Sequence, residues 1–123
     1  MTRPRSHRIL LVDDEVELRN AIALHLESRG FEVVGLGDAE SAVDRVAAEK
    51  FDAVILDNNL PGMMGITALP TILKRCKAPV IMITGHAAEE TRRDALLLGA
   101  KDLLKKPLDM NALTEALAQV FPV

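Results

Sequence analysis

The sequence predicts an α/β domain: a doubly wound, five-stranded parallel sheet with helices on both faces. Two observations carry the prediction. Short apolar runs recur at Ile9–Val12, Phe31–Leu36, Ala53–Leu56, Val80–Ile83 and Leu103–Leu104. Between and after them lie segments of helical periodicity, and strand alternating with helix is the pattern of a parallel sheet. The 123 residues, 49% hydrophobic and 27% charged, make one soluble domain with a real core.

Each helix has its own signals. After the first run, Leu18, Ile22 and Leu26 repeat at four-residue spacing, and Gly30 stands where a helix C-terminus needs it. After the second, Asp38 caps a helix whose buried stripe is Ala42, Val43, Val46 and Ala47. The third helix follows Gly65 with Ile66, Leu69, Ile72 and Leu73, and Pro70 inside it predicts a short helix or one kinked near its start. The fourth runs from about Ala88 to Leu98 and stops at Gly99. The last is capped by Asp109 and buries Leu113, Leu117 and Val120.

Strand order is also legible. Runs one, three and four are continuously apolar, as strands covered on both faces are, whereas Glu32 breaks run two and Asp102 and Lys105 flank run five. Strands two and five are therefore the edges. With right-handed crossovers the simplest arrangement is 2-1-3-4-5, the flavodoxin-like order.

Composition narrows the function. The 18 acidic and 15 basic residues leave a net charge of −3, which gives no electrostatic drive toward nucleic acid or an anionic membrane. Three Phe with no Trp or Tyr argue against a protein that stacks bases on aromatic rings. The single cysteine, Cys76, excludes an internal disulfide framework and a Cys-only zinc site, and a reducing, cytoplasmic location fits. The basic start, Arg3, Arg5, His7 and Arg8, leads into too few apolar residues for a signal peptide or a membrane span, and reads as a solvated tail. Residues 1–7 are assigned to that tail and 8–123 to the domain.

In such a sheet, ligands bind beyond the carboxyl ends of the strands where the order reverses, here between strands one and three. Asp13 and Asp14 follow strand one, Asp57 strand three, Thr84 strand four, and Lys105, Lys106 and Pro107 strand five. Three carboxylates in one crevice repel one another unless a cation binds or a lysine reaches in. An oxygen-only donor set points to a hard divalent ion, Mg²⁺. A carboxylate beside Mg²⁺ can act as a nucleophile toward phosphorus, with Thr84 and Lys106 holding phosphoryl oxygens. Asp57, ending the central strand, is the choice of nucleophile. Alone, each residue has a plainer role: the Asp pair as a helix cap, Asp57 as a turn residue, Thr84 as a strand residue, the lysines as a solvated pair. Their meeting at one crevice reverses those readings.

The ordered set Leu11-Val12-Asp13-Asp14-Glu15, Ile55-Leu56-Asp57 with Leu60-Pro61-Gly62, Ile83-Thr84-Gly85, and Gly99-Ala100 leading to Lys106-Pro107 resembles the receiver domain of two-component response regulators. The resemblance covers Arg8 to Val120. It implies Asp57 as phosphoacceptor, and Asp13, Asp14, Asp57 and the Asn59 backbone carbonyl as ligands of Mg²⁺ or Mn²⁺. It further implies Thr84 as switch hydroxyl and Lys106 as phosphate-binding lysine, joined to Pro107 by a cis bond. Asn59 and His86 stand where they could tune hydrolysis. Expected partners are a sensor histidine kinase or phosphotransfer protein and a downstream protein target or output domain, with a second copy of the chain as a further candidate. The output face is expected on helix four, strand five and helix five. The expected role is a switch that takes part in its own phosphorylation and dephosphorylation, not primarily an enzyme.

Two departures stand out. Leu103 occupies the position where receivers usually carry Tyr or Phe, so it is either a plain edge-strand residue or part of an apolar surface with Leu96 and Leu97. Met64 replaces a frequent acidic residue, and Met63 and Met64 read as adaptable loop packing. Two other classes fit the sequence less well. A phosphohydrolase of the haloacid-dehalogenase type places its nucleophile after strand one in an Asp-x-Asp pattern, but Glu15 occupies the third position here. A flavodoxin-like carrier needs a hydroxyl-rich, phosphate-cradling loop where this chain has three acids.

Overall fold

The computed structural model describes residues 7–85 and 89–121. Ten elements alternate along it: β1 (Arg8–Val12), α1 (Val16–Glu27), β2 (Glu32–Leu36), α2 (Ala39–Ala48), β3 (Ala53–Asp57), α3 (Gly65–Arg75), β4 (Val80–Thr84), α4 (Glu89–Leu97), β5 (Asp102–Lys105) and α5 (Met110–Val120). The five strands form one parallel sheet in the order β2-β1-β3-β4-β5, as the apolar runs predict. No helix among the described residues is long and apolar enough to cross a membrane.

Side chains alternate across a strand, so a sheet covered on both sides needs apolar residues at every position. Leu10, Val12, Val54, Leu56, Val80, Met82 and Leu103 face one way, against Ala42 and Val46 of α2, Leu69 and Ile72 of α3, and Ala95 of α4. Ile9, Leu11, Ile55, Ile81 and Ile83 face the other way, against Ile22 and Leu26 of α1 and Leu113 and Leu117 of α5. β3 and β4 are buried throughout, while β2 and β5 at the edges are partly exposed.

Three expectations need correction. Ala47 is exposed, because α2 ends one residue later and its last turn points the residue away from the sheet. Helix α3 runs a full 11 residues with Pro70 inside it, so the proline does not shorten it. Its start is secured from outside: the Asn58 side chain accepts a hydrogen bond from the Ile66 N–H at 2.9 Å, and the Asn58 carbonyl accepts one from Gly65 N–H at 2.9 Å. Finally, His7, placed in the solvated tail, packs against the domain, while Arg3 and Arg5 lie outside the described residues. His7 stacks on Phe121 at 4.2 Å between centroids, and Arg8 opens β1, ion-paired to Glu49 at 2.6 Å.

Candidate functional site

Register brings the chemistry together. Val12 lies beside Leu56, Asp57 beside Ile83, and Thr84 beside Lys105, so the carboxyl ends of β1, β3, β4 and β5 open onto a common crevice. Asp13 and Thr84 are fully buried and Asp57 is 1% exposed, whereas Asp14 faces solvent. One carboxylate oxygen each from Asp13, Asp14 and Asp57 lies within 4.8 Å of the others. The three acids expected to converge do so.

Lys106 enters from the loop after β5. Its Nζ donates to Asp57 Oδ2 at 3.1 Å and to Glu15 Oε1 at 2.8 Å, and lies 3.2 Å from Asp13 Oδ2. Lys106 is joined to Pro107 by a cis peptide bond. Burial opposes its charge, but the bonds to Glu15 and Asp57 outweigh that cost and raise its pKa. Burial is also the largest influence on Asp57. Together with the charge of Asp13 it raises the Asp57 pKa, against the bonds from Lys106 and the Asn59 N–H.

The acids suit a hard cation. Asp13 Oδ2 is buried and accepts no hydrogen bond, although the ammonium of Lys106 stands nearby. An all-oxygen set with one such buried atom and an exposed third carboxylate matches the coordination of a small divalent ion that keeps part of its hydration. The cluster can therefore hold a metal ion.

The Thr84 hydroxyl donates to Asn59 Oδ1 at 3.1 Å, which links the ends of β4 and β3. The Asn59 N–H in turn donates to Asp57 Oδ1 at 3.2 Å. His86 lies outside the described residues. Leu103 is 3% exposed and belongs to the core, so it adds nothing to an apolar surface. Its place in β5 turns it toward the side covered by α4. Leu96 and Leu97 are exposed, at 39% and 78%, and so is Leu98. Met63 packs against the core and Met64 is exposed.

Sequence reasoning missed two residues. Glu15 is a direct partner of Lys106, and no spacing rule links residues so far apart in the chain. Arg19 Nη1 donates to the Asp13 carbonyl at 2.7 Å. Glycines within and just after β2 are the signal that could have revealed it.

Comparison with known proteins gives a consistent answer. The chain is 41% identical to the chemotaxis protein CheY of Treponema pallidum (strain Nichols), over 94% of this chain and 83% of that protein. The structure superposes with a TM-score of 0.89 on a CheY-like response regulator receiver domain protein from Methanospirillum hungatei JF-1, at 29% identity over 94% of this chain and 93% of that one. A response regulator from Burkholderia pseudomallei, solved with a phosphorylated aspartic acid, calcium ion and citrate, gives 0.86 at 26% identity, over 91% of this chain and 66% of that one. Other curated relatives are much longer, and the chain spans only 38%, 52% and 24% of three of them. The response regulator receiver domain family matches residues 9–118, a span that takes in all ten elements in whole or part. A match of that extent, to a sheet whose strand ends gather acids, hydroxyl and lysine, makes the chain a member of the response regulator receiver domain family.

Proposed function

We propose that Asp57 accepts a phosphoryl group from the phosphohistidine of a sensor kinase or phosphotransfer protein, in a reaction that requires Mg²⁺ or Mn²⁺. The observation that carries this reading is the buried Asp57 carboxylate at the end of the central strand, 3.1 Å from the Lys106 ammonium and beside Asp13 and Asp14. Asp13, Asp14, Asp57 and the Asn59 carbonyl would hold the ion. When bound, it would neutralise charge on the transferring group. An Asp57 oxygen forms the bond to phosphorus as the bond to the donor's imidazole nitrogen breaks, and the imidazole leaves. Lys106, already charged and aimed into the crevice, pairs with a phosphoryl oxygen. The Thr84 hydroxyl exchanges Asn59 for another phosphoryl oxygen. That exchange moves the end of β4, and the surface of α4, β5 and α5, with Leu96 and Leu97 exposed on it, carries the change to a downstream protein target or output domain. The Burkholderia pseudomallei regulator, solved with a phosphorylated aspartic acid and a calcium ion, supports the same chemistry for this chain. Asn59 and His86 would tune hydrolysis, and the setting is cytoplasmic. Neither the phosphohydrolase nor the flavin carrier reading has a supporting observation.

Incubation with a small phosphodonor and Mg²⁺, followed by intact mass, tests the proposal. The native chain should gain a single phosphoryl group and Asp57→Asn none. Asp14→Ala should lose labelling and Mg²⁺ dependence together. An adduct that persists in Asp57→Asn would remove Asp57 from its role.

A further inference from the structure

β2 is an edge strand that carries Gly35, with Gly37 directly after it, although strands gain stability from side chains. Neither glycine has a positive φ, so backbone conformation does not demand them. Their missing side chains make room instead. A Cβ on Gly35 would stand 3.2 Å from Arg19 Cδ, and one on Gly37 would stand 3.2 Å from Arg19 Nη1. The side chain of Arg19 thus lies along a trough of two glycines, and the atom at its end is the one that donates to the Asp13 carbonyl at 2.7 Å.

That carbonyl has special leverage. The C=O of Asp13 and the N–H of Asp14 belong to one rigid peptide plane, so whatever fixes the oxygen fixes the entry of the chain into Asp14. Asp13 itself is secured twice more: its N–H donates to the Leu36 carbonyl at 3.0 Å, and its Oδ1 accepts from the Glu15 N–H at 2.9 Å. Asp14 is exposed, and its aim depends on the backbone before it.

We infer that Arg19 is a positioning residue for the cation site, which holds the peptide between Asp13 and Asp14 so that both carboxylates face the same ion, and that Gly35 and Gly37 are there to seat it. The inference rests on the reading of the acidic cluster as a Mg²⁺ site. Arginine suits the task because its planar fork can pack along the trough and still donate at its end.

Calorimetric titration with Mg²⁺ of the native chain, Arg19→Ala, Arg19→Lys, Gly37→Ala and the Arg19→Ala/Gly37→Ala double variant provides the test, with thermal melting in chelator to compare folding. Arg19→Ala should bind Mg²⁺ roughly 10-fold more weakly, the scale seen when a residue that orients a metal ligand is lost. Arg19→Lys should recover part of the loss. Gly37→Ala should weaken binding through the displaced Nη1, although it lies on another element. The double variant should bind no more weakly than Arg19→Ala alone, because both changes remove one interaction. Labelling by phosphodonor should return at saturating Mg²⁺ in each variant. Should Arg19→Ala fail to fold, Gly37→Ala carries the comparison. Equal Mg²⁺ affinity across native and variants would overturn the role of Arg19 and leave the site reading intact, as would additive losses in the double variant. No Mg²⁺ binding by the native chain would overturn the site reading itself.

Discussion

Asp57 carries its charge at 1% exposure in a cluster that already holds Asp13, and the Lys106 ammonium at 3.1 Å offsets only part of the cost, so its pKa is raised. A carboxyl whose folded pKa stands above its unfolded value opposes folding when ionised. The penalty is present above the folded pKa and is relieved as pH falls through it. Asp57→Asn keeps the shape, removes the charge, and leaves Lys106 with Glu15 and Asp13. In metal-free buffer at neutral pH the variant should therefore melt a few degrees above the native chain. Added Mg²⁺ should raise the midpoint of the native chain more than that of the variant, because binding to the folded state alone stabilises it. A variant that melts below the native chain without metal would mean that pairing with Lys106 outweighs the repulsion.

Helix starts show how neighbouring elements share the work of shaping the site. α3 begins with Gly65, where an added Cβ would collide with the Asp57 carbonyl oxygen and stand 2.9 Å from Asn58 Cα. The obstacle is backbone, and it is the backbone of the acceptor residue, so it can move only by moving Asp57. Gly65→Ala should cost about 1–3 kcal/mol, the usual scale of overpacking, and slow phosphodonor labelling as well. Unchanged labelling in a destabilised Gly65→Ala would separate the two. α2 has a simpler start, in which Asp38 accepts a hydrogen bond from the Ser41 N–H at 2.7 Å. Bonds from the Ser41 backbone and side chain lower the Asp38 pKa. This is the opposite case to Asp57: the contribution is complete above the unfolded value and is lost as pH falls through the lowered one. Asp38→Ala should cost about 1 kcal/mol at neutral pH by denaturant unfolding. The difference from the native chain should shrink in acid below the ordinary aspartate range.

Across the whole molecule, legibility follows burial on both sides. β1, β3 and β4 could be read because each buries both faces along a continuously apolar run, and the edges because Glu32 breaks one run and Asp102 and Lys105 flank the other. The convergence of Asp13, Asp14 and Asp57 followed from strand order alone. What could not be read depends on how side chains pack across elements: the reach of Lys106 to Glu15, the Arg19 trough, the outward turn of Ala47 and the burial of Leu103. The last of these bears on how a signal leaves the domain. With Leu103 in the core beside Ala95, a polar link between α4 and β5 comes from Arg92, whose Nη1 donates to the Leu103 carbonyl at 2.8 Å and whose Nη2 lies 3.4 Å from Asp102 Oδ1. α4 buries only Ala95, whereas α1 buries Ile22 and Leu26, and α5 buries Leu113, Ala116 and Leu117. Little buried apolar surface means a low free energy of local opening. Hydrogen exchange should therefore find the α4 amides less protected than those of α1 and α5. Arg92→Ala should lower protection further in α4 while leaving β1 and β3 unchanged, because the lost bond ties a helix to an edge carbonyl and not to the central sheet. Equal protection of α4 and α5 in the native chain would contradict this ranking. Protection lost throughout the sheet in Arg92→Ala would show that the arginine supports the whole fold and not one hinge of it.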